Sequence, residues 1–449
     1  MRIRIVTIGS QGDVRPYVAF GVGLRRAGHD VRILAHAGFE ELVRSRGLDF
    51  APVAGDPREL AVEENRDLRN LHEAGRNPFR WWHTFNKVDA PFMRQRLRDC
   101  WEGCRDAEVI VVSMLPYLFG YAIAKKLGIP LVRAFYSPVS PTRSAPVDAL
   151  PPWLQLGQRF NLATYHVQRQ VLWEIARPWV AEACREVLGI QSLPRREPFS
   201  DLDRRQQLLL YAYSEAVAPR PQDWGDWIEV TGYWFLDRAS GWTPPPALTA
   251  FLEDGAPPVC VGFGSMTYDR PEILRIVSDA LNKTGQRAVL LAGWGGLRPP
   301  ELPRHMFTID WAPLNWLFPR MSAVVHHGGA GTTSEGLRAG VPTVVVPFFY
   351  DQFFWARRVF AAGAGPEPIP RTKLSADTLA RSIRIAASDQ EIRRRVTAIS
   401  RRIQAEDGVA RAVVAFERHL RRSGAQGSAT IGQSSLSKTG DPPFSYEAH

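Results

Sequence analysis

Short apolar runs alternate with helix-length amphipathic segments along most of the chain. In the N-terminal half, the runs at 3–8, 31–35, 109–113 and 131–134 are rich in valine, isoleucine, leucine and alanine. Short, continuous apolar runs that are separated by helices are typical of parallel strands buried on both faces. The pattern therefore predicts an α/β fold with a doubly wound sheet.

The C-terminal half repeats this alternation, with strands predicted at 258–263, 287–292 and 308–310 and a helix at 271–284. Between the halves, residues 236–247 end in Thr-Pro-Pro-Pro-Ala, a composition typical of a linker. We therefore predict two α/β domains of similar plan. Their predicted bounds are 1–235 for the first domain, 236–247 for the linker and 248–408 for the second domain.

A glycine-rich stretch is the most informative part of the second half. Residues 326–335 read His-His-Gly-Gly-Ala-Gly-Thr-Thr-Ser-Glu. They lie between a predicted strand at 322–325 and a helix-like segment at 334–339, and a second β-branched run follows at 343–346. Glycines that open a helix expose backbone N–H groups at the positive end of the helix dipole, and both favour phosphate. The spacing is neither a P-loop nor G-x-G-x-x-G, so a simple tight turn remains an alternative.

An acid and an amide, Asp351 and Gln352, follow the next strand in an aromatic setting. Carboxylate and amide groups suit sugar hydroxyls, and ligands of open α/β sheets bind at the carboxyl ends of strands. Together with the glycine-rich stretch, they predict a site for a nucleotide diphosphate that carries a sugar.

Composition and charge limit the binding partners and the cellular compartment that we expect for this protein. The 449 residues carry a net charge of +10, but no nucleic-acid-binding motif is present, so we expect no nucleic-acid partner. The strongest basic excess lies at 392–422, which predicts a solvated helix face or a contact with anionic lipid. The four cysteines form no C-x-x-C pair, and no apolar stretch of spanning length occurs. We expect a cytoplasmic protein without a signal peptide. Peripheral contact with a membrane surface stays open as an addition to this expectation.

Several motifs resemble those of nucleotide-sugar glycosyltransferases with the GT-B fold, in which two Rossmann-like domains face a central cleft. The likeness covers roughly residues 1–420, and it is strongest to sterol glucosyltransferases and bacterial antibiotic glycosyltransferases. The segments that carry it lie at 9–16 (Gly-Ser-Gln-Gly-Asp-Val-Arg-Pro), 55–60, 223–225, 231–236, 262–266 and 311–352. The resemblance also implies that a helix at 409–422 packs back onto the first domain. The Ser/Gly/Thr/Pro-rich tail, 423–449, is predicted to be disordered.

The resemblance implies a donor site for a UDP-sugar, which is a co-substrate, and no cofactor or metal. Trp311 would stack on the base, although its surroundings also suit a core tryptophan. His327 and Thr332 would contact the phosphates, and Glu335 the ribose. Asp351 and Gln352 would hold the sugar. The other predicted donor residues are Ser265, Gly329, Ala330 and Gly331.

Asp13 is the candidate general base that takes a proton from the acceptor hydroxyl. Its position matches the catalytic acid or histidine of the family, while a helix N-cap is the structural alternative. Aromatic-rich segments at 78–101 and 151–185 would wall a cleft for a lipophilic acceptor. The candidate cleft residues are Gln11, Trp81, Trp82, Phe85 and Phe135. The Asp201-Leu202-Asp203 triplet has the form of a metal-binding D-x-D, but its arginine-rich surroundings predict a surface segment.

The leading hypothesis is an inverting glycosyltransferase that moves a hexose, glucose first among them, from a UDP-sugar to a sterol, hopanoid or polyketide-like hydroxyl. An antibiotic or phenolic glycosyltransferase that uses a dTDP- or UDP-sugar is an alternative. A nucleotide-sugar epimerase would leave the aromatic segments without a purpose. A non-catalytic lipid-binding relative is the alternative from a different class.

Overall fold

A computed structural model describes residues 1–55, 90–147, 150, 156–236, 242–264, 270–293, 303–348 and 351–434. Within them, two all-parallel sheets of seven and five strands form the framework. The strands of the first sheet, β1 to β7 in chain order, span Arg2–Val6, Asp30–His36, Asp49–Val53, Val109–Val112, Leu131–Phe135, Leu209–Tyr211 and Ile228–Val230. The strands of the second sheet, β8 to β12, span Val259–Gly262, Ala288–Leu291, Met306–Ile309, Ala323–His326 and Thr343–Val345.

Helices cover both faces of these sheets, as expected when parallel strands need crossover connections. The α-helices of the described residues, α1 to α14 in chain order, span Gln11–Arg26, Glu40–Arg44, Ala90–Cys104, Tyr117–Leu127, Gln158–Ala183, Pro198–Arg204, Pro246–Glu253, Arg270–Thr284, Leu314–Leu317, Ala330–Ala339, Asp351–Ala361, Ala376–Ser388, Gln390–Gln404 and Gly408–Ser434. A π-helical turn, Cys184–Leu188, continues α5, and 3₁₀ turns span Ala37–Phe39, Phe318–Arg320 and Arg371–Lys373.

The strand orders confirm the predicted doubly wound α/β class. The first sheet has the order β3-β2-β1-β4-β5-β6-β7, and the second has β10-β9-β8-β11-β12. Each order runs in one direction from the domain's first strand and then reverses. The reversal leaves a crevice beside that strand, between β1 and β4 in one sheet and between β8 and β11 in the other.

The first helix begins earlier than the sequence pattern indicated. The loop was predicted to run from residue 9 to Pro16, but α1 begins at Gln11. A capping box explains the early start, because the Ser10 backbone N–H and the Asp13 carboxylate pair at the helix entry. Pro16 lies inside the helix, where it lacks only the one backbone donor that would reach Gly12.

The last helix returns to the first sheet. Phe416 of α14 meets Phe20 of α1 edge-to-face, with ring centroids 6.1 Å apart, and Phe20 in turn stacks on Trp234 at 4.5 Å. These residues belong to the core that covers one face of the first sheet. The helix ends at Ser434, beyond the predicted limit near residue 422.

The two sheets share a packed interface. One apolar cluster joins Phe135 and Tyr211 of the first sheet to Val345 of the second and Trp355 of α11. The Arg358 guanidinium of α11 also donates to the Val217 carbonyl, with Nε and Nη2 at 2.9 and 2.7 Å. The cluster and this pair of hydrogen bonds hold the two halves against each other.

The Asp-Leu-Asp triplet of α6 differs from its prediction as a surface segment. Asp203 accepts hydrogen bonds from Arg133 at 2.7 Å and from Arg169 at 2.9 Å. Arg133 is fully buried and Arg169 nearly so. The arginine-rich flanks suggested solvent exposure, but the partners of Asp203 come from β5 and α5, which are distant in sequence. Asp201 alone keeps the predicted character, because it pairs with the exposed Arg204 and Arg205.

Candidate active site

The two crevices bring the predicted base and the predicted phosphate loop to one place. Asp13 follows β1, and His327 follows β11, so each lies at the carboxyl end of the strand beside a reversal point. The N-termini of α1 and α10 approach each other there, since a methyl group on Gly331 would lie 3.7 Å from the Gly12 Cα. A ligand bound at the start of α10 would therefore contact the start of α1.

Asp13 occupies the third position of α1, and its carboxylate is held on both sides. Oδ2 accepts hydrogen bonds from the Ser10 N–H at 2.7 Å and the Ser10 hydroxyl at 2.9 Å. Oδ1 accepts one from the Tyr136 hydroxyl at 2.8 Å. Burial raises the pKa of Asp13, although these hydrogen bonds act in the opposite direction. Capping and catalysis are thus compatible, because Oδ2 caps the helix while Oδ1 points toward Tyr136.

Asp351 begins α11 on the other side of the crevice. Its Oδ2 accepts a hydrogen bond from the Ser137 hydroxyl at 3.3 Å, which is a contact between the two halves of the protein. Burial raises the pKa of Asp351 to about 7, and the negative charge of Asp13 adds to the increase. Two carboxylates therefore face one crevice, each with a hydroxyl donor from the segment that follows β5.

Tyr136 and Ser137 were not among the residues predicted from the sequence. The rule that selected Asp13, a polar residue just past the carboxyl end of a parallel strand, applies to both of them. We selected the preceding Phe135 instead as an acceptor-cleft residue, and this was wrong. Phe135 is fully buried and packs edge-to-face on Phe199, so it lines no open cleft.

Glycines surround the His327 ring at the predicted phosphate loop. A methyl group on Gly264 would lie 2.9 Å from the imidazole Cε1, and one on Gly329 would lie 2.5 Å from Nε2. Only residues without a side chain admit the ring at both positions. Burial lowers the pKa of His327 to about 4, so the imidazole is neutral at pH 7 and can hydrogen-bond a ligand without adding a positive charge.

The neighbouring His326 stabilises the turn of the same loop. It is buried, and its Nδ1 accepts a hydrogen bond from the Gly328 N–H at 2.9 Å. Gly328 has a φ of +90°, a conformation that favours glycine. This turn places Gly329, Ala330 and Gly331 at the start of α10, where the first backbone N–H groups of a helix have no intrahelical acceptor.

The remaining candidate residues of the predicted site differ in how far they are buried. Thr332 is partly buried on the first turn of α10. One turn further, Glu335 acts electrostatically on the Arg15 guanidinium of α1, which places a charge pair beside the crevice. Gln352 is buried, and its Oε1 accepts a hydrogen bond from the Phe348 N–H at 2.8 Å, an interaction that fixes the start of α11. Gln11 is exposed at the start of α1.

Trp311 has one open face. Its side chain is 47% exposed, and it meets Trp242 edge-to-face with ring centroids 6.2 Å apart. This exposure argues against the alternative of a core tryptophan, and it leaves the ring accessible to a planar ligand. Four predicted residues, Ser265, Trp81, Trp82 and Phe85, lie outside the described residues.

We expect Trp311→Ala to weaken the binding of UDP about 10-fold, because stacking of a base on an aromatic ring contributes roughly 1–3 kcal/mol. Trp311→Phe keeps a ring at the same position and should retain most of the affinity. Isothermal titration calorimetry with UDP measures both. Equal affinities for the alanine variant and the parent protein would remove Trp311 from the donor site.

The described part of the chain contains no cluster of three histidine, cysteine, aspartate or glutamate side chains that could ligate a metal. Among the same residues, we find no helix that combines the length and the apolar character required to span a bilayer.

Known protein families match both halves of this chain in sequence. Residues 3–146 match the family described as glycosyltransferase family 28 N-terminal domain, and residues 297–413 match the erythromycin biosynthesis protein CIII-like C-terminal domain. A sterol 3-beta-glucosyltransferase of Arabidopsis thaliana is 36% identical over 428 residues, which cover 94% of this chain and 68% of that protein. One of Aspergillus fumigatus is 38% identical over 442 residues. The chain spans about 30% of the length of this fungal relative.

Solved structures of lower identity share the fold. The calicheamicin glycosyltransferase superimposes with a TM-score of 0.64 at 20% identity, covering 94% of this chain and 98% of that one. A Streptomyces glycosyltransferase complexed with thymidine diphosphate gives a TM-score of 0.59 at 20% identity, with 93% and 99% covered. Both matches extend across the two sheets, which confirms the predicted two-domain GT-B architecture.

Proposed function

Because the chain belongs to the GT-B glycosyltransferase family that includes sterol 3-beta-glucosyltransferases, we propose that it transfers a hexose from a nucleotide diphosphate sugar to a hydroxyl of a lipophilic acceptor. The donor in this proposal is UDP-glucose, and the acceptor is a sterol or a hydroxyl compound of similar size and polarity. One observation carries the proposal: Asp13 and Asp351, from the two halves of the chain, accept hydrogen bonds from the adjacent Tyr136 and Ser137 hydroxyls, beside the glycine-opened start of α10.

In the proposed reaction, the acceptor hydroxyl lies between Asp13 and the anomeric carbon of the bound sugar. The oxygen attacks this carbon while its proton moves to Asp13 Oδ1, and the bond between the carbon and the diphosphate oxygen breaks. Attack from the side opposite the leaving group inverts the anomeric configuration. The electron pair departs with UDP.

The leaving diphosphate needs donors that are already in place when its charge develops. The first backbone N–H groups of α10, at Ala330 and Gly331, and the neutral imidazole of His327 supply hydrogen bonds, and the helix dipole has the favourable sign. Asp351 would accept hydrogen bonds from the sugar hydroxyls. Glu335 would accept from the ribose, and Trp311 would stack on the base.

A direct test is to incubate the purified protein with UDP-glucose and, separately, with dTDP-glucose, in the presence of a panel of sterols, macrolides and flavonoids. Mass spectrometry would detect a hexose on any acceptor. A hexosylated sterol supports the proposal, and a hexosylated macrolide or flavonoid reassigns the acceptor class to that of the antibiotic enzymes. Free epimerised nucleotide sugar would indicate an epimerase. Nucleotide binding without any product would contradict transfer with these donors and favour the non-catalytic relative.

A further inference from the structure

Tyr136 is the residue immediately after β5, and it reaches the predicted base from a separate segment of the chain. Its hydroxyl donates to Asp13 Oδ1 at 2.8 Å, across 123 positions of sequence. Tyr136 is partly buried. The role proposed for Asp13 leaves this contact unexplained.

The hydrogen bonds around Asp13 leave little choice of proton site. An ionised carboxylate has about four lone-pair positions, two on each oxygen. The Ser10 N–H and hydroxyl occupy the two positions on Oδ2. The Tyr136 hydroxyl occupies one of the two on Oδ1. A single position on Oδ1 remains for the proton of an acceptor hydroxyl.

We propose that Tyr136 is a positioning residue that fixes Asp13 so that one lone pair of Oδ1 faces the acceptor hydroxyl. This inference rests on the proposed function, because it assigns the orientation of the base in that reaction. Without the tyrosine hydroxyl, a second lone pair of Oδ1 becomes available, and the carboxylate is held only through Oδ2. The acceptor hydroxyl would then approach Asp13 in more than one geometry, and fewer of these align with the anomeric carbon.

The titratable and charged groups around Asp13 influence its pKa. Tyr17 lies on the same helix, Tyr136 follows β5, and Asp351 begins α11. The charged pair nearby is Arg15 with Glu335. Burial raises the pKa of Asp13, and the Tyr136 hydrogen bond is the largest of the effects that lower it. Removal of that hydroxyl should therefore raise the pKa of Asp13 further.

The variant Tyr136→Phe removes the hydroxyl and keeps the ring. We expect kcat to fall about 10-fold or more, since general-base catalysis contributes roughly 10²- to 10⁴-fold and depends on alignment. The KM for the nucleotide sugar should stay unchanged. The acid limb of the kcat/KM pH profile, where activity is lost as Asp13 becomes protonated, should move to higher pH.

Tyr17→Phe is the matched control. The Tyr17 hydroxyl is also buried near Asp13, but it donates to the Ala134 carbonyl at 2.5 Å rather than to the carboxylate. This variant loses a comparable hydrogen bond from the same region, so it reports the cost of structural damage. Its acid limb should coincide with that of the parent protein.

A measurement without turnover separates this inference from the proposed function. The protein can be labelled with [4-¹³C]aspartate, and the Asp13 carboxyl signal assigned through its loss in Asp13→Asn. Its titration midpoint should rise in Tyr136→Phe and not in Tyr17→Phe. Coincident midpoints and pH profiles in all three proteins would overturn the inference. A shifted midpoint in a protein that transfers no sugar would support the Tyr136 contact and contradict the proposed function.

Discussion

Asp13→Asn is expected to lower kcat for sugar transfer by about 10²- to 10⁴-fold, the range that a positioned general base contributes. The amide lacks the basic lone pair that takes the proton, but its oxygen can still accept the hydrogen bonds from Ser10 that cap α1. The asparagine variant therefore removes the base and keeps the helix entry. Alanine would remove both and confuse the two effects.

The control for Asp13→Asn is donor binding. Asp13 lies on α1, whereas the predicted contacts with the diphosphate lie on α10 and the predicted contact with the uracil ring is Trp311. The affinity for UDP, measured by calorimetry, should therefore stay within about 2- to 3-fold of the parent value, since no predicted donor contact is lost. A parallel loss of UDP affinity and transfer would mean that Asp13 supports the donor site rather than the chemistry. Transfer at the parent rate would exclude Asp13 as the base.

Asp203→Asn is expected to lower the free energy of unfolding by about 3–5 kcal/mol, the usual cost of removing one partner from a buried ion pair. Asp203 is the acceptor shared by Arg133 and Arg169, whose side chains are 0% and 7% exposed. An amide carries no charge to balance these two buried guanidinium groups. Urea denaturation followed by circular dichroism measures the difference.

Asp201→Asn provides a control within the same helix. Its partners, Arg204 and Arg205, are about 70% exposed, and exposed pairs contribute roughly 0–1 kcal/mol. The two aspartates are similarly exposed, at 22% and 27%, so the variants differ mainly in the burial of the arginines that lose a charged partner. Equal destabilisation by Asp201→Asn and Asp203→Asn would contradict the buried network.

The same network predicts a dependence of stability on pH. Burial alone would raise the pKa of Asp203, but the charges and hydrogen bonds of Arg133 and Arg169 outweigh it and lower the pKa below 3.8. The folded state therefore binds this proton less readily than the unfolded chain. The stabilisation is present above the ordinary pKa near 3.8, and it is lost as the pH falls from that value through the lowered one. Asp203→Asn should flatten this part of the acid-unfolding curve.

Local sequence patterns were sufficient for the fold class, and they also indicated where to look for a site. Apolar runs predicted four of the seven strands of the first sheet and all five of the second, because strands buried on both faces read as continuous apolar runs. The glycines around His327 and the acid that begins α11 were recognisable because strand ends carry ligands in this class of fold. The glycine-rich stretch spans only residues 326–335, and Asp351 lies six residues past the end of β12.

The features that sequence reasoning missed depend on contacts between distant segments. Asp203 was assigned to the surface because its neighbours in sequence are arginines, whereas its partners come from β5 and α5. Tyr136 lies 123 residues from the carboxylate that it contacts. The selection of Phe135 over Tyr136 was an error of one position, and along a strand one position moves a side chain to the opposite face.

The return of α14 to the first sheet has a consequence for protein engineering. Donor preference could be altered by grafting the second half from a relative, and a single junction near residue 240 would be the obvious design. Such a chimera would pair a foreign α14 with α1. In this protein, Phe416 of α14 fits against Phe20 of α1. A methyl group on Gly23 of α1 would lie only 2.5 Å from the Val409 side chain of α14. A compatible hybrid needs a second junction near Gly408, so that the terminal helix and its docking surface come from the same parent.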